Sequence, residues 1–337
     1  MTTKKIGAQT AALANPPSFA GWANVAGKKE GEGPLADTFD YIDGDDTFGE
    51  STWEKSESAM QKQALGLALN KAGQAASSLD WLFAGDLLNQ CIGSSFAARG
   101  QEIPFFGLYG ACSTMGEGLA LASMTLDGGF GEWAAVTASS HFCSAERQYR
   151  NPLEYGGQRT PTTQWTATAA GAAVLAREGP GPYITHVTAG KIVDKGITDT
   201  NNMGAAMAPA AHATITAHFS DTGRSPSSYD LIVTGDLGVL GSELLIELLR
   251  KDGIQLHNHA DCGAMLFDLQ NQDVHCGGSG CGCCASVLTG HLLNSMKAGK
   301  WNNILFCPTG ALHSPISAFQ GESIPGICHA IAISTTK

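Results

Sequence analysis

Positive charge is scarce in this chain. Its 20 lysines and arginines face 31 aspartates and glutamates, which gives a formal net charge of -11. The basic residues do not cluster into a patch or stripe. An acidic surface of this kind repels phosphate backbones. We therefore expect no nucleic acid among its partners.

Long apolar runs are also missing. No segment approaches the length of about 18 apolar residues that a membrane-spanning helix needs. Residues 1–17 contain two lysines but neither a continuous apolar segment nor a small-residue cleavage site, so they do not resemble a signal peptide. These absences predict a soluble, intracellular protein that reaches a membrane only through other proteins.

The chain also lacks the histidine pair that would complete a zinc site around Cys281, Cys283 and Cys284. Ten cysteines without an export signal indicate reduced thiols in a cytosol-like compartment. We expect neither a metal nor another cofactor.

Two segments of similar pattern are present instead. Residues 78–87 and 228–237 both predict a strand that ends in Gly-Asp-Leu, and a predicted helix precedes each, over 56–72 and 205–219. A chain of 337 residues with 43% hydrophobic content is long enough for two such units.

The order of elements repeats after these segments. A glycine-rich hinge at 110–113 precedes a predicted helix ending near residue 126 and a strand at 133–139. The second copy has its hinge at 277–282, its helix at 283–297 and its strand at 303–307. Alternating strands and helices predict an α/β fold of two duplicated halves, residues 1–180 and 181–337, which share a helix layer in an αβαβα arrangement.

Cys112 is the main candidate for a functional residue. It lies between a predicted buried strand at 103–109 and a helix that begins at Ser113. The free N–H groups and the dipole at a helix N-terminus favour an anion there, either a thiolate or a ligand oxyanion. A cysteine can also be buried simply as a small apolar residue. The flanking glycines and the hinge favour the functional interpretation.

The ends of two strands and one loop add further hypotheses. Asp86 and Asp236 end equivalent strands, and their repetition favours a structural role such as helix capping. Asp199 and Met203 lie in a loop that is placed to cover a pocket.

The order of parts resembles the thiolase and ketoacyl synthase superfamily. Cys112 falls on the nucleophile of these enzymes, and His259 in His-Ala-Asp-Cys falls on a catalytic histidine of the ketoacyl synthase III type. Cys281 and Gly282 stand in the region where those enzymes have an asparagine. Loss of one preorganised donor typically costs ~10²–10³ in rate. The resemblance thus implies a thiolase-like fold with vestigial catalysis by Cys112 and His259.

A second resemblance, to the stage V sporulation protein AD family, covers essentially the whole chain. It rests on short motifs in a fixed order, at residues 84–90, 110–114, 139–148, 154–158, 196–199, 207–211, 277–281 and 322–325. This resemblance implies a protein of the forespore or spore that binds dipicolinic acid, pyridine-2,6-dicarboxylate, or its calcium chelate. It also implies membrane proteins of the same uptake apparatus as partners, and the superfamily favours a homodimer.

A flat dianion needs paired cations or several donors in its site. Strand order places Ser140 and His141 beside the hinge, and Arg147 is a candidate to pair with a carboxylate, as is Arg150. The full set of expected ligand-binding residues is Cys112, Ser113, Ser140, His141, Arg147, His259, Gly280 and Cys281. Two alternatives stay open: an acyltransferase or condensing enzyme that uses Cys112, and a scaffold that docks membrane partners.

Overall fold

The computed structural model describes residues 4–149 and 159–337. Its strands are β1 Lys5–Ile6, β2 Thr10–Ala12, β3 Ser18–Ala26, β4 Tyr41–Ile42, β5 Trp81–Gly85, β6 Phe105–Leu108, β7 Trp133–Ser140, β8 Trp165–Thr166, β9 Ala169–Ala176, β10 Tyr183–Thr188, β11 Leu231–Thr234, β12 His259–Asp261, β13 Gly278–Ser279, β14 Asn303–Cys307, β15 Thr309–Ala311, β16 Gly326–Cys328 and β17 Ala330–Ser334. Its α-helices are α1 Lys28–Gly31, α2 Trp53–Ala72, α3 Ile92–Ala98, α4 Thr114–Asp127, α5 Phe142–Tyr149, α6 Met203–Thr222, α7 Gly238–Lys251, α8 Cys262–Leu266, α9 Cys281–Val287, α10 Leu293–Lys297 and α11 Pro315–Phe319.

Two groups of five strands share one topology. The first has the order β3-β9-β7-β5-β6, and the second has the order β10-β17-β14-β11-β12. β5 is parallel to β6 and β7, as β11 is to β12 and β14. The remaining two strands of each group run antiparallel to their neighbours. The duplication predicted from the Gly-Asp-Leu segments is therefore present as a repeated sheet.

Helices α4 and α9 form the middle layer between the two groups. α4 contacts β5 and β7 of the first group and β17 of the second, and α9 lies beside α4 against β7 and β9. Residues 281–287 of α9 are all buried. A helix that is apolar all round needs cover on every side, and here β7 and β9 cover α9 on one side while α4 and α8 pack beside it.

The outer layers are formed by α2 and α6. Met60 of α2 shares a core with Leu82 of the first group, and Met207 of α6 shares another with Ile232 and Leu305 of the second. The predicted αβαβα layering is thus confirmed.

Element boundaries differ from prediction in a few places. The predicted helix at 283–297 begins earlier, at Cys281, and passes through a π-helical turn at Leu288–Leu292. The proposed division near residue 180 falls between β9 and β10. The N-terminal β2, however, pairs with β10 of the second group.

None of the described helices has the length and apolar character needed to cross a membrane. The motif at residues 154–158 and the candidate Arg150 lie outside the described residues.

Candidate functional site

The first hinge turns sharply between β6 and α4. Ala111 has a φ of +49°, a left-handed conformation that residues other than glycine rarely adopt. The Ser113 hydroxyl donates to the Gly110 carbonyl at 2.7 Å, which closes the turn. Cys112 therefore lies at the start of α4, as predicted, whereas the hydroxyl of Ser113 is already engaged.

Cys112 lies on the wall of a cavity of about 80 Å³. Ala111 and Leu87 contribute apolar surface near it. The polar groups of the lining are Glu146, Tyr149, Thr166, Thr200, Asn201, Ser279 and His313. Within the described ranges, no lysine or arginine lines this cavity.

An acidic group lies close to the Cys112 thiol. It is the carboxyl group of Asp236, which follows β11 of the second half. Burial, together with this nearby acid, raises the pKa of the Cys112 thiol well above its usual value. Burial also raises the pKa of Asp236 to about 7. The thiol is therefore protonated at neutral pH.

The Asp236 carboxyl group is held from both sides. Oδ1 accepts a hydrogen bond from the Thr309 hydroxyl at 2.8 Å, and Oδ2 accepts one from the Gly280 N–H at 3.1 Å. The same Gly280 N–H is near enough to the Cys112 sulfur to lower its pKa slightly. Asp86, the equivalent residue of the first half, accepts from the N–H groups of Leu88 and Ser94. The predicted structural role therefore describes Asp86 well. It is incomplete for Asp236, whose carboxyl group also lies beside the Cys112 thiol.

His259 is not at the cavity, which corrects its assignment as the partner of Cys112. It is the first residue of β12 and pairs in register with Ile232. Its Nε2 lies 3.0 Å from the Thr234 hydroxyl oxygen. Its side chain reaches the last residue of β11 but does not line the cavity.

Ser140 and His141 are close to the second hinge but are already satisfied. The Ser140 hydroxyl donates to the Ala167 carbonyl at 2.7 Å and accepts from the Gly282 N–H at 3.1 Å. His141 Nδ1 accepts from the Cys143 N–H, so Nε2 carries the proton that it donates to the Asp46 carbonyl at 3.0 Å. Neither side chain lines the cavity, and both instead join loops and hinges.

Arg147 lies on the outer face of α5. Its side chain is 55% exposed and its Nη1 is 2.9 Å from Glu54 Oε1. Successive helical residues point in different directions, so the neighbouring Glu146 lines the cavity while Arg147 does not. The structure thus gives the expected carboxylate-binding arginine a partner elsewhere.

Gly280 and Cys281 lie in the second hinge, next to the site. Gly280 has a φ of +97°, and a Cβ there would lie 2.5 Å from the Ser140 hydroxyl oxygen. The Cys281 thiol donates to the Ser139 carbonyl at 3.0 Å and is fully buried. Gly280 thus acts through its N–H, and Cys281 packs between the two halves.

Sequence reasoning missed most of the cavity lining. Met203, predicted to lie in a covering loop, does line the cavity, together with Thr200 and Asn201 just before it. Glu146 and Tyr149 lie in a helix of which only Arg147 was singled out. His313 lies between β15 and α11 and carried no sequence signal beyond its residue type.

A buried thiol beside a carboxyl group is a poor nucleophile. A reactive cysteine needs a lowered pKa or a base that takes its proton. Asp236 has a lower pKa than Cys112, so transfer of the thiol proton to it is unfavourable. Asp236 therefore does not activate Cys112 as a nucleophile.

Solved structures of low sequence identity share this fold. The cerulenin-bound OleA of Xanthomonas campestris superimposes with a TM-score of 0.60 at 15% identity, covering 99% of this chain and 99% of that one. The 3-oxoacyl-[acyl-carrier-protein] synthase III of Aquifex aeolicus VF5 gives a TM-score of 0.55 at 14% identity, covering 94% and 99%. The fold is therefore thiolase-like, as predicted.

Sequence relatives are more specific. The chain is 41% identical over 329 residues to the stage V sporulation protein AD of Bacillus subtilis (strain 168), with 97% of each chain covered. The family model described as Stage V sporulation protein AD matches residues 7–334. The chain belongs to the stage V sporulation protein AD family.

Proposed function

We propose that this sporulation protein binds dipicolinate in the cavity beside Cys112, as one component of the apparatus that moves this acid into the spore. The observation that carries the proposal is the cavity whose wall includes Cys112. Burial and the nearby Asp236 carboxyl group keep the thiol at this nucleophile position protonated. Such a site is suited to binding without chemistry.

The charge of the lining favours the calcium chelate over the free acid. Dipicolinate is a dianion at neutral pH, and burying it without a cation is costly. Glu146 adds a carboxylate to the cavity, where the described lining contains no lysine or arginine. Calcium binds carboxylate and carbonyl oxygens, so a bound calcium ion would neutralise the dianion and make its entry less costly.

The test is calorimetric titration of the protein with dipicolinate, with and without calcium chloride. We expect saturable binding of one ligand per chain, tighter in calcium. Isophthalate, which places a C–H group where dipicolinate has the ring nitrogen, is the matched control ligand. If neither free dipicolinate nor its calcium chelate gives a heat of binding or competes for the cavity, the proposal is overturned.

The alternative of an acyl-transferring or condensing enzyme rests on the retained cysteine at the N-terminus of α4. Incubation with acetyl-coenzyme A followed by intact-mass measurement separates the two functions. Stoichiometric acylation of Cys112 with turnover would favour the enzyme. An unmodified mass, or slow acylation without turnover, agrees with the binding function.

Two exposed surfaces are suited to the partners. β6 is an edge strand with Phe106 49% exposed, and an open, apolar strand edge pairs readily with a second copy, in support of a homodimer.

Ile316 and Phe319 of α11 are 70% and 78% exposed, and we propose them as the contact with membrane partners. A docking scaffold with an empty cavity would need only these surfaces. That alternative is excluded if dipicolinate binds.

A further inference from the structure

Helices α2 and α3 form a groove in the outer layer of the first half. Its volume is about 590 Å³, and none of its lining residues belongs to the cavity beside Cys112. The lining recurs at helical spacing along both helices, with Lys55, Ala59 and Lys62 on α2 and Ile92, Phe96 and Arg99 on α3. The groove is therefore a separate surface, built by one face of each helix.

Three cations line this groove without an acidic partner. Lys55 and Lys62 are exposed, lie about 10 Å apart along α2, and form no ion pair within the described ranges. Arg99 is also exposed and has no carboxylate partner in this part of the chain. Its guanidinium lies 4.5 Å from the centre of the Phe96 ring. The three charges are thus available to a ligand.

Two acids also line the groove, but they do not cancel its charge. They are Glu50 and Glu54, and Glu54 is paired with Arg147 at 2.9 Å. Arg147 lies in a second depression, of about 410 Å³, which shares Glu54 and Ile92 with the groove. The described lining of the joined surface therefore carries four cations against two acids, in a chain whose net charge is -11.

Apolar side chains accompany these cations. Ile92 and Phe96 are 39% and 47% exposed, and Ala59 lies opposite them on α2. Exposed apolar surface bordered by charged residues marks a site of protein contact, and aromatic side chains contribute more to such contacts than most others. The groove therefore offers an apolar contact and an electrostatic one side by side.

We infer that this groove binds an acidic, amphipathic segment of a partner protein. Carboxylates of that segment pair with the three cations, and its apolar side chains cover Phe96. Charge complementarity selects an acidic partner over a basic one. An elongated groove between two helices admits a single chain segment, whereas a bilayer with anionic headgroups is broad and is repelled by the net charge of -11. This interaction goes beyond dipicolinate binding and does not depend on it.

The experiment measures the fluorescence anisotropy of a labelled synthetic peptide of about 14 residues, titrated with the full chain. The peptide repeats Glu, Leu and Phe so that its helix carries acids on one face and apolar side chains on the other. We expect saturable binding by wild type that weakens as sodium chloride is added. Lys55→Glu combined with Lys62→Glu replaces attraction by repulsion, so we expect affinity to fall about tenfold or more and its salt dependence to decrease.

Two further variants separate the contributions. Phe96→Ala removes the apolar contact, so we expect affinity to fall about fivefold while the salt dependence is kept. Lys191→Glu combined with Lys195→Glu is the matched control, because both lysines are exposed in the connection between β10 and α6 and the change in net charge is the same. We expect this control to bind the peptide as wild type does.

The contrary results are equally specific. Absence of saturable peptide binding to wild type overturns the inference, and so does unchanged affinity in either groove variant. An equal loss of affinity in the control would reflect net charge alone and would overturn it too. Vesicles of phosphatidylcholine with about 30% phosphatidylglycerol test the membrane alternative. If they bind through Lys55 and Lys62 and the peptide does not compete, the groove is a membrane contact and the inference is wrong.

Discussion

The Asp236 carboxyl group, just after β11 of the second half, lies close to the Cys112 thiol of the first hinge and, together with burial, raises the pKa of that thiol. Condensing enzymes need a base that can accept the proton of the cysteine. Here burial favours the protonated form of both groups. Asp236 therefore does not activate the Cys112 thiol as a nucleophile.

The first prediction concerns stability and pH. The ordinary pKa of an aspartate, 3.8, rises to about 7 for Asp236 in the folded protein. The folded state thus binds this proton more tightly, so the stabilisation is complete below about pH 4 and is lost as the pH rises through about 7. In Asp236→Asn this contribution disappears. As the pH rises across that range, we expect the free energy of unfolding of wild type to fall by up to roughly 4 kcal/mol relative to that of Asp236→Asn.

Urea unfolding at a series of pH values measures this difference. Other buried acids that are not among the neighbours of Asp236, such as Glu30 and Glu57 with pKa values of about 8, act equally on both proteins. Parallel stability curves for wild type and Asp236→Asn would show that Asp236 does not titrate in this range.

The second prediction concerns reactivity. Iodoacetamide modifies thiolates, so it should label the partly exposed Cys276 before the buried Cys112. Asp236→Asn removes a negative neighbour from Cys112 and should speed its alkylation, whereas Asp252→Asn, at a surface ion pair, should not. Peptide mass spectrometry over a time course gives the rates. Cys112 modified first in wild type would indicate an activated nucleophile.

The third prediction concerns Arg147. Because it forms an exposed ion pair with Glu54, Arg147→Ala should change the free energy of unfolding by less than about 1 kcal/mol. Dipicolinate affinity should stay within about twofold of wild type, since about 1.4 kcal/mol corresponds to a tenfold change. Calorimetry measures both the free energy of unfolding and the dipicolinate affinity. Glu54→Gln, which changes the partner of Arg147, is the control. A tenfold loss in Arg147→Ala alone would place Arg147 at the ligand.

The fourth prediction tests the contact between the second hinge and the first sheet. A Cβ on Gly282 would lie 2.0 Å from the Ala169 carbonyl oxygen, and backbone on both sides leaves little room to relax. We expect Gly282→Ala to destabilise the fold by about 1–3 kcal/mol or more. At Gly66 of α2 a Cβ meets no heavy atom within 4 Å, so Gly66→Ala should stabilise by up to about 1 kcal/mol. Thermal unfolding compares them, and equal midpoints would contradict the close packing.

The fifth prediction concerns assembly. If β6 pairs with a second copy, Phe106→Lys places a charge at the interface and should give monomers by sedimentation equilibrium. Phe319→Lys, on the more exposed α11, should leave the dimer intact. A wild-type monomer, or a dimer that survives Phe106→Lys, would remove β6 from the assembly.

Local sequence pattern was enough to predict the repeated elements. The two Gly-Asp-Leu strands, the helices after each hinge and the place of Cys112 at a helix N-terminus all depend on neighbours within a few residues. Glycine freedom and apolar periodicity operate at that range. The motif order also indicated the family, which the sequence relatives confirmed.

The contents of the site were decided by tertiary structure. Asp236 meets Cys112 only because α4 and α9 are packed between the two sheets, and no spacing along the chain encodes that contact. The order of motifs predicts His259 beside Cys112, whereas in the packed structure its side chain contacts Thr234 and does not line the cavity. Arg147 points outward while Glu146, next to it, points inward, since a helix turns about 100° per residue. His313 joined the cavity through the folding of the connection between β15 and β16, and contacts of that kind arise only once the whole chain is packed.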